Sequence, residues 1–234
     1  MSYLRIGIMG GMGPEATLSC FESIIHRTPA EKDQEHLPVI IDNNPQIPDR
    51  TEAILSDGED PVPYLGDSAK RLENAGADLI IIPCNTAHYF IEDIEDLIDI
   101  PVLNMIESTV NELPSGSLTG LLASTGTIGS GLYQEYAKGD VGILTPEDDL
   151  QEKVMNVIYG EKGIKAGYKG KRLKKELLDV VDHLKERGAG SIIAGCTEIR
   201  LVLSDSDIEG MDLFRPIDVI VTRAIDLART GEIQ

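Results

Sequence analysis

Gly76-Ala-Asp-Leu-Ile-Ile-Ile-Pro-Cys84 decides the fold, because the chain says nearly the same thing again at Gly188-Ala-Gly-Ser-Ile-Ile-Ala-Gly-Cys196, 112 positions later (84 to 196). Each copy starts at a glycine of the kind that ends a helix, continues as a short aliphatic run and stops at a cysteine. A second pair stands upstream of each copy. Gly7-Ile-Met-Gly-Gly-Met-Gly13 is echoed by Gly120-Leu-Leu-Ala-Ser-Thr-Gly126, 113 positions on (7 to 120). Two strand-to-turn units, in the same order and at nearly one offset, imply two similar lobes of about half the chain each.

Working outward, eight apolar runs read as strands: Leu4–Met9, Leu37–Asp42, Asp78–Pro83, Pro101–Leu103, Leu118–Ala123, Val141–Leu144, Ser191–Ala194 and Asp212–Phe214. They are rich in Ile, Leu and Val without polar alternation, as strands covered on both faces are, hence parallel. Amphipathic stretches lie between them, at Glu15–His26, Val62–Ala75, Ala87–Ile98, Pro146–Ile158, Arg172–Arg187 and Pro216–Arg229. The expected class is therefore α/β: two pseudo-symmetric, doubly wound lobes with mainly parallel sheets and an interlobe cleft. We place the first lobe at residues 1–103 plus 208–234, the last helix returning to it, and the second at residues 104–207.

Composition narrows the function. The 234 residues carry 21 Lys and Arg against 40 Asp and Glu, a formal charge of −19, which disfavours nucleic acid and anionic membranes as partners. No apolar run approaches the roughly 20 residues of a membrane helix, and the N-terminus reads as a buried strand instead of a signal peptide. Three cysteines form no disulfide framework, so the expectation is a soluble protein of a reducing compartment, the cytoplasm. An acidic ligand would have to be held by local cations.

The residues able to do chemistry gather at strand ends. Gly10-Gly-Met-Gly-Pro-Glu-Ala-Thr17 follows a strand and opens a helix. It reads either as a tight turn or as an anion site built from free backbone N–H groups. It lacks the third glycine of a dinucleotide fingerprint and the Gly-Lys-Ser/Thr of a P-loop. Cys84-Asn-Thr and Cys196-Thr-Glu lie where a buried strand gives way to a helix, a place that lowers a thiol's pKa toward neutrality. Asn85, Thr86 and Thr197 can cap those helices or hold a carboxylate. Either cysteine alone reads as a small core residue. As a matched pair, facing each other across a cleft, they suit inversion of a stereocentre: one takes a proton as thiolate while the other delivers one as thiol. A disulfide is the rival reading. Zinc lacks ligands, since Cys20 falls in a helix and His88 is the nearby imidazole.

Arg50, in the proline-stiffened loop Pro45-Gln-Ile-Pro-Asp-Arg-Thr51, reads as a surface Arg paired with Asp49 or a helix acid, or as a bidentate carboxylate clamp. Lys165, in Gly163-Ile-Lys165-Ala-Gly167, stands 115 positions later (50 to 165), close to the repeat offset. The basic run Lys169, Lys171, Arg172, Lys174 and Lys175 reads as a solvated helix start that could also draw in acidic metabolites. Thr125-Gly-Thr127 offers hydroxyls and N–H groups, or simply a cap. Glu198 is either a first-turn acid or a partner for a substrate ammonium. His88 reads as packing, with tuning of Cys84 as the other option.

Together, Met9–Thr17, Pro45–Thr51, Pro83-Cys-Asn-Thr-Ala-His88, Leu121-Leu-Ala-Ser-Thr-Gly-Thr127 and Gly195-Cys-Thr-Glu-Ile199 resemble the aspartate/glutamate racemase family, closest to its aspartate racemase branch. The Asp-Ser-Gly opening of cell-wall glutamate racemases is missing. The resemblance implies racemisation of a small acidic amino acid without pyridoxal phosphate, other cofactor or metal, by a homodimer with a place in D-amino acid metabolism. It assigns proton transfer to Cys84 and Cys196. Substrate contacts go to Arg50, Asn85, Thr86, Thr125, Thr127 and Lys165, and further to Met12, Gly13, Gln46, Thr197 and Glu198. Glutamate racemisation and maleate cis–trans isomerisation are the alternatives on the same two-cysteine plan.

Overall fold

The structure, a computed structural model, describes residues 3–231. They form two compact units. One runs to Ser108 and takes the chain back from Ile217; the other is Thr109–Pro216.

The first unit is built on a parallel sheet of β1 (Ile6–Gly10), β2 (Val39–Asn43), β3 (Leu79–Ile81) and β4 (Val102–Leu103), in the order β2-β1-β3-β4. Alternation along the strands sends side chains to two apolar layers. Ile6, Ile8, Leu79 and Ile81 pack with Cys20 and Ile24 of α1 (Pro14–Arg27) and with Ile217, Ile220, Val221 and Ala224 of α10 (Pro216–Thr230). Met9, Ile80 and Ile82 turn the other way, onto Leu65, Ala69 and Leu72 of α3 (Val62–Asn74) and Ile94 of α4 (Ile91–Glu95). β1 and β3 are covered on both faces, which is why they read as aliphatic runs, whereas the edge strand β2 is partly exposed, Ile41 at 41 %.

The second unit repeats the plan. Its sheet comprises β5 (Leu118–Leu122), β6 (Gly142–Leu144), β7 (Ser191–Ala194) and β8 (Asp212–Phe214), parallel and ordered β6-β5-β7-β8, the same permutation. Leu122, Ile192 and Ala194 pack on Val154, Val157 and Ile158 of α8 (Asp148–Tyr159) and on Leu177, Val180, Val181 and Leu184 of α9 (Lys171–Glu186). Leu121 and Ile193, on the opposite face, are also fully buried.

The sequence echo is carried into register. Gly7 pairs with Ile80, and Gly120 with Ile192. A Cβ on Gly7 would lie 3.1 Å from Ala77 Cβ, and one on Gly120 would lie 2.8 Å from Ile192 Cδ1, so at both a side chain would need its neighbours to shift. The helix ends match too. Gly76 (φ 89°) and Gly188 (φ 99°) occupy the left-handed region. There Gly76 N–H donates to Glu73 O and Ala77 N–H to Leu72 O, while Gly188 N–H donates to Lys185 O and Ala189 N–H to Leu184 O. This is one Schellman closure built twice.

Three short helices interrupt stretches that read as loop or turn: α2 (Arg50–Leu55), α6 (Thr125–Ser130) and α7 (Leu132–Ala137). A further helix, α5 (Met105–Asn111), comes after β4. The helix expected over 87–98 is instead a 3₁₀ turn, Thr86–Phe90, followed by α4. The reason is local. The His88 ring bonds the Cys84 carbonyl (2.8 Å), the acceptor an α-helix would offer to His88 N–H, and that N–H goes to Asn85 O (3.1 Å).

Candidate active site

In the first unit three strand-end turns converge. Met12 after β1, Ile47 after β2 and Cys84 after β3 share one buried cluster. Gly13 caps α1 through its backbone, the Gly11 N–H being taken by Thr17 Oγ1 (2.9 Å). Cys84, Asn85 and Thr86 are buried, at 7 %, 3 % and 8 % exposure. His88, 1 % exposed, bonds Cys84 O through Nδ1 (2.8 Å) and accepts the Met105 N–H at Nε2 (3.1 Å). Those partners assign the proton to Nδ1. Burial depresses its pKa to about 4, despite the backbone bonds, so the ring is neutral. It ties the Cys84 turn to the start of α5, a positioning role.

Arg50 corrects the loop reading. It is the first residue of α2 and is buried, with Nη1 donating to Ile47 O (3.2 Å) and Pro48 O (2.8 Å). The Asp49 carboxylate caps α2, accepting from Thr51 N–H (2.7 Å) and Glu52 N–H (3.1 Å). Asp49 with Glu52 three residues on was the available signal. Gln46 is exposed, its N–H held by Asn44 Oδ1 (3.1 Å).

The second unit assembles a different set at the matching strand end. Cys196, Thr197 and Glu198 are buried, and all three cysteines of the chain are free thiols. Cys196 Sγ donates to Glu198 Oε2 (3.0 Å), as does Thr197 Oγ1 (3.2 Å). The other carboxylate oxygen, Oε1, is 3.2 Å from Lys165 Nζ, and that ammonium also lies 5.1 Å from the Tyr159 ring centre. Burial works against the Glu198 charge, but Lys165 and the Cys196 thiol outweigh it and hold the carboxyl below its ordinary range. The expected lowering of a thiol by a helix start is overturned at Cys196. Burial, and after it the Glu198 charge, push this thiol well above its usual value against the opposing pull of Lys165. The next element is a 3₁₀ turn, Thr197–Leu201, too short for a strong dipole.

Thr125 and Thr127 lie on α6, at the end of β5 beside β7. Ser124 caps that helix, accepting from Thr127 N–H (3.3 Å), while Thr125 N–H donates to Met155 Sδ (3.2 Å). Gln151 reaches across from α8 to Ala123 O (3.0 Å). The cap read at Thr125-Gly-Thr127 falls one residue earlier, on Ser124, while Gln151, Met155 and Tyr159 had no signal beyond helix periodicity. Within the basic run, Arg172, Lys174 and Lys175 are paired with Glu176, Asp207 and Asp179 respectively. Cys20 is core, at 0 % exposure. Among the described residues no group of three or more His, Cys, Asp or Glu could hold a metal ion, and no helix is long and apolar enough to cross a membrane.

The model of the family described as Asp/Glu/Hydantoin racemase matches residues 9–224. The chain belongs to that family. That membership supports an amino-acid racemase. Among similar proteins, the broad specificity amino-acid racemase RacX of Bacillus subtilis is 28 % identical over 205 residues, covering 85 % of this chain and 87 % of its own. A glutamate racemase of Corynebacterium kroppenstedtii is 31 % identical over 160 residues, 63 % of this chain and 54 % of its own. Among solved structures, the Picrophilus torridus aspartate racemase superposes with a TM-score of 0.83 at 27 % identity, covering 97 % of this chain and 94 % of that one.

Proposed function

We propose that this racemase interconverts L- and D-aspartate, with Cys84 and Cys196 exchanging the α-proton and no cofactor taking part. The observation that carries the reading is the placement of both cysteines at the same step of two identically ordered sheets, each just past the third strand in sequence. In one direction a thiolate takes the α-proton and the other thiol delivers a proton to the opposite face of the carbon. Backbone N–H groups at the strand–helix turns, with Asn85, Thr86, Thr125 and Thr127, serve the α-carboxylate as it takes up charge. Met12, Gly13, Gln46 and Thr197 complete the surroundings of the substrate.

Arg50 and Lys165 are assigned to the distal carboxylate. The buried guanidinium supports this for Arg50, since its position is set by the carbonyls of its own turn. Lys165 would share its charge between the substrate and Glu198. Aspartate is favoured by the likeness to the Picrophilus torridus enzyme over nearly all of both chains. The likeness to RacX supports a second reading, a wider amino-acid range. The enzyme is expected to act as a cytoplasmic homodimer.

A chiral assay without added metal or pyridoxal phosphate, on both enantiomers of aspartate, glutamate and a neutral amino acid and on maleate, tests the assignment. Racemisation of aspartate well above the rest supports it. Equal rates across amino acids favour the wider range. Fumarate from maleate, with a substrate-mass adduct on either cysteine, would replace the racemase with an isomerase.

A further inference from the structure

The two thiols stand in unlike company. At the position two residues after the cysteine, the first half has Thr86 and the second has Glu198. Glu198 is 3 % exposed, accepts from the Cys196 thiol at 3.0 Å and is paired with Lys165 at 3.2 Å. An ionised carboxylate this close opposes a negative charge on the sulfur, and the ammonium beyond it moderates that opposition. Among the described residues, the charged groups acting on Cys196 are Glu198, from its own 3₁₀ turn, and Lys165, from the segment after α8. Its packing neighbours, Leu122, Ala194 and Ile199 among them, are aliphatic.

We propose that Glu198 is a positioning residue which, with Lys165 as its counter-ion, keeps Cys196 protonated at rest, so that Cys196 enters turnover as the acid and Cys84 as the base. This deepens the two-thiol reading and rests on it. In the direction that starts from the resting enzyme, the Cys84 thiolate forms an S–H bond as the Cα–H bond breaks. The released pair is held on Cα and its carboxylate. The Cys196 S–H bond then breaks, its proton forms the new Cα–H bond on the opposite face, and the pair stays on sulfur. The enzyme is left with a Cys84 thiol and a Cys196 thiolate beside Glu198. Glu198 disfavours that thiolate and Lys165 moderates it, until Cys196 takes up a proton from solvent and the Cys84 thiol gives one up, which restores the resting enzyme. The raised proton affinity of Cys196 agrees with this order.

The test is the pH profile of alkylation at each cysteine by iodoacetamide, read by peptide mass in the substrate-free, full-length protein. Glu198→Gln removes the opposing charge, so its Cys196 profile moves to lower pH and the rate near pH 8 rises about tenfold, one pKa unit's worth. Lys165→Gln removes the moderating charge, so its profile moves to higher pH and the rate falls about tenfold. Cys84 keeps its profile in both. Opposite shifts identify an electrostatic role, whereas loosened packing would move both variants the same way, toward an ordinary thiol. Unchanged profiles, or shifts of one sign, would overturn the proposal. Aspartate racemisation by the wild type is measured alongside. If it is present and the opposite shifts are missing, the Glu198 proposal falls alone. If it is missing and the shifts appear, the two-thiol racemase falls while the Glu198–Cys196 coupling stands.

Discussion

The two halves of this racemase share a frame and differ in charge. Sheet order, the glycine that admits a close neighbour on the second-ordered strand, and the Schellman closure before the cysteine strand are the same in both. The surroundings of the two cysteines are not. The first half buries a neutral imidazole that binds Cys84 through its backbone, and the second buries an ionised Glu198 that touches the Cys196 sulfur, with the more exposed Lys165 as its counter-ion. Backbone geometry answers to packing, which both halves must satisfy alike. Side chains at the strand ends are free to differ, and the proposed reaction, with one acid and one base, would gain from unlike neighbours.

The shared frame is tested hardest by truncating its matched anchors. Leu72 and Leu184, each accepting the closing Schellman bond and each almost completely buried, are expected to cost about 2–5 kcal/mol apiece when changed to Ala. Urea unfolding of the two variants checks this, and a large cost in one half with none in the other would break the equivalence.

The difference between the halves is sharpened at His88, whose counterpart 112 positions on is Arg200. His88→Phe leaves the Cys84 carbonyl and the Met105 N–H without their ring partners, at a cost of about 3 kcal/mol at neutral pH. The wild type should also show a matching pH dependence. The folded pKa of about 4 lies below the ordinary 6.5, so the unfolded chain takes up the proton first. Stability is full above pH 6.5 and declines as pH falls toward 4, by about 3 kcal/mol from this group. The variant should lack that part of the decline; an identical pH profile would remove the neutral, buried imidazole from the account. Smaller effects belong to the helix caps beside the site. Asp49→Ala on α2 and Ser124→Ala on α6 should each cost about 1 kcal/mol in thermal or urea unfolding.

Much of this architecture was legible in the chain. All eight aliphatic runs are strands, because strands covered on both faces cannot disguise their composition. The short helices were not, since six residues such as Arg50–Leu55 are too few to show a period and their start is set by a single capping side chain. At the site, the cysteines stood out by repetition. The environment of Cys196 did not, because it depends on how far the Glu198 side chain turns back and on Lys165 arriving from 33 positions earlier (165 to 198). Neither leaves a mark in local sequence. Expecting a lowered thiol there came from treating the next turn as a helix start and overlooking burial.

Turnover of L-aspartate in deuterium oxide, monitored by NMR at Cα together with chiral analysis, puts the two-thiol account to its plainest trial with the wild type, Cys84→Ala and Cys196→Ala. The account predicts D-aspartate carrying solvent deuterium at Cα from the wild type and no racemisation from either variant, with each variant at most exchanging the α-proton of one enantiomer. Racemisation at the wild-type rate by either variant, or wild-type product that keeps its original α-proton from the first turnover, would contradict it.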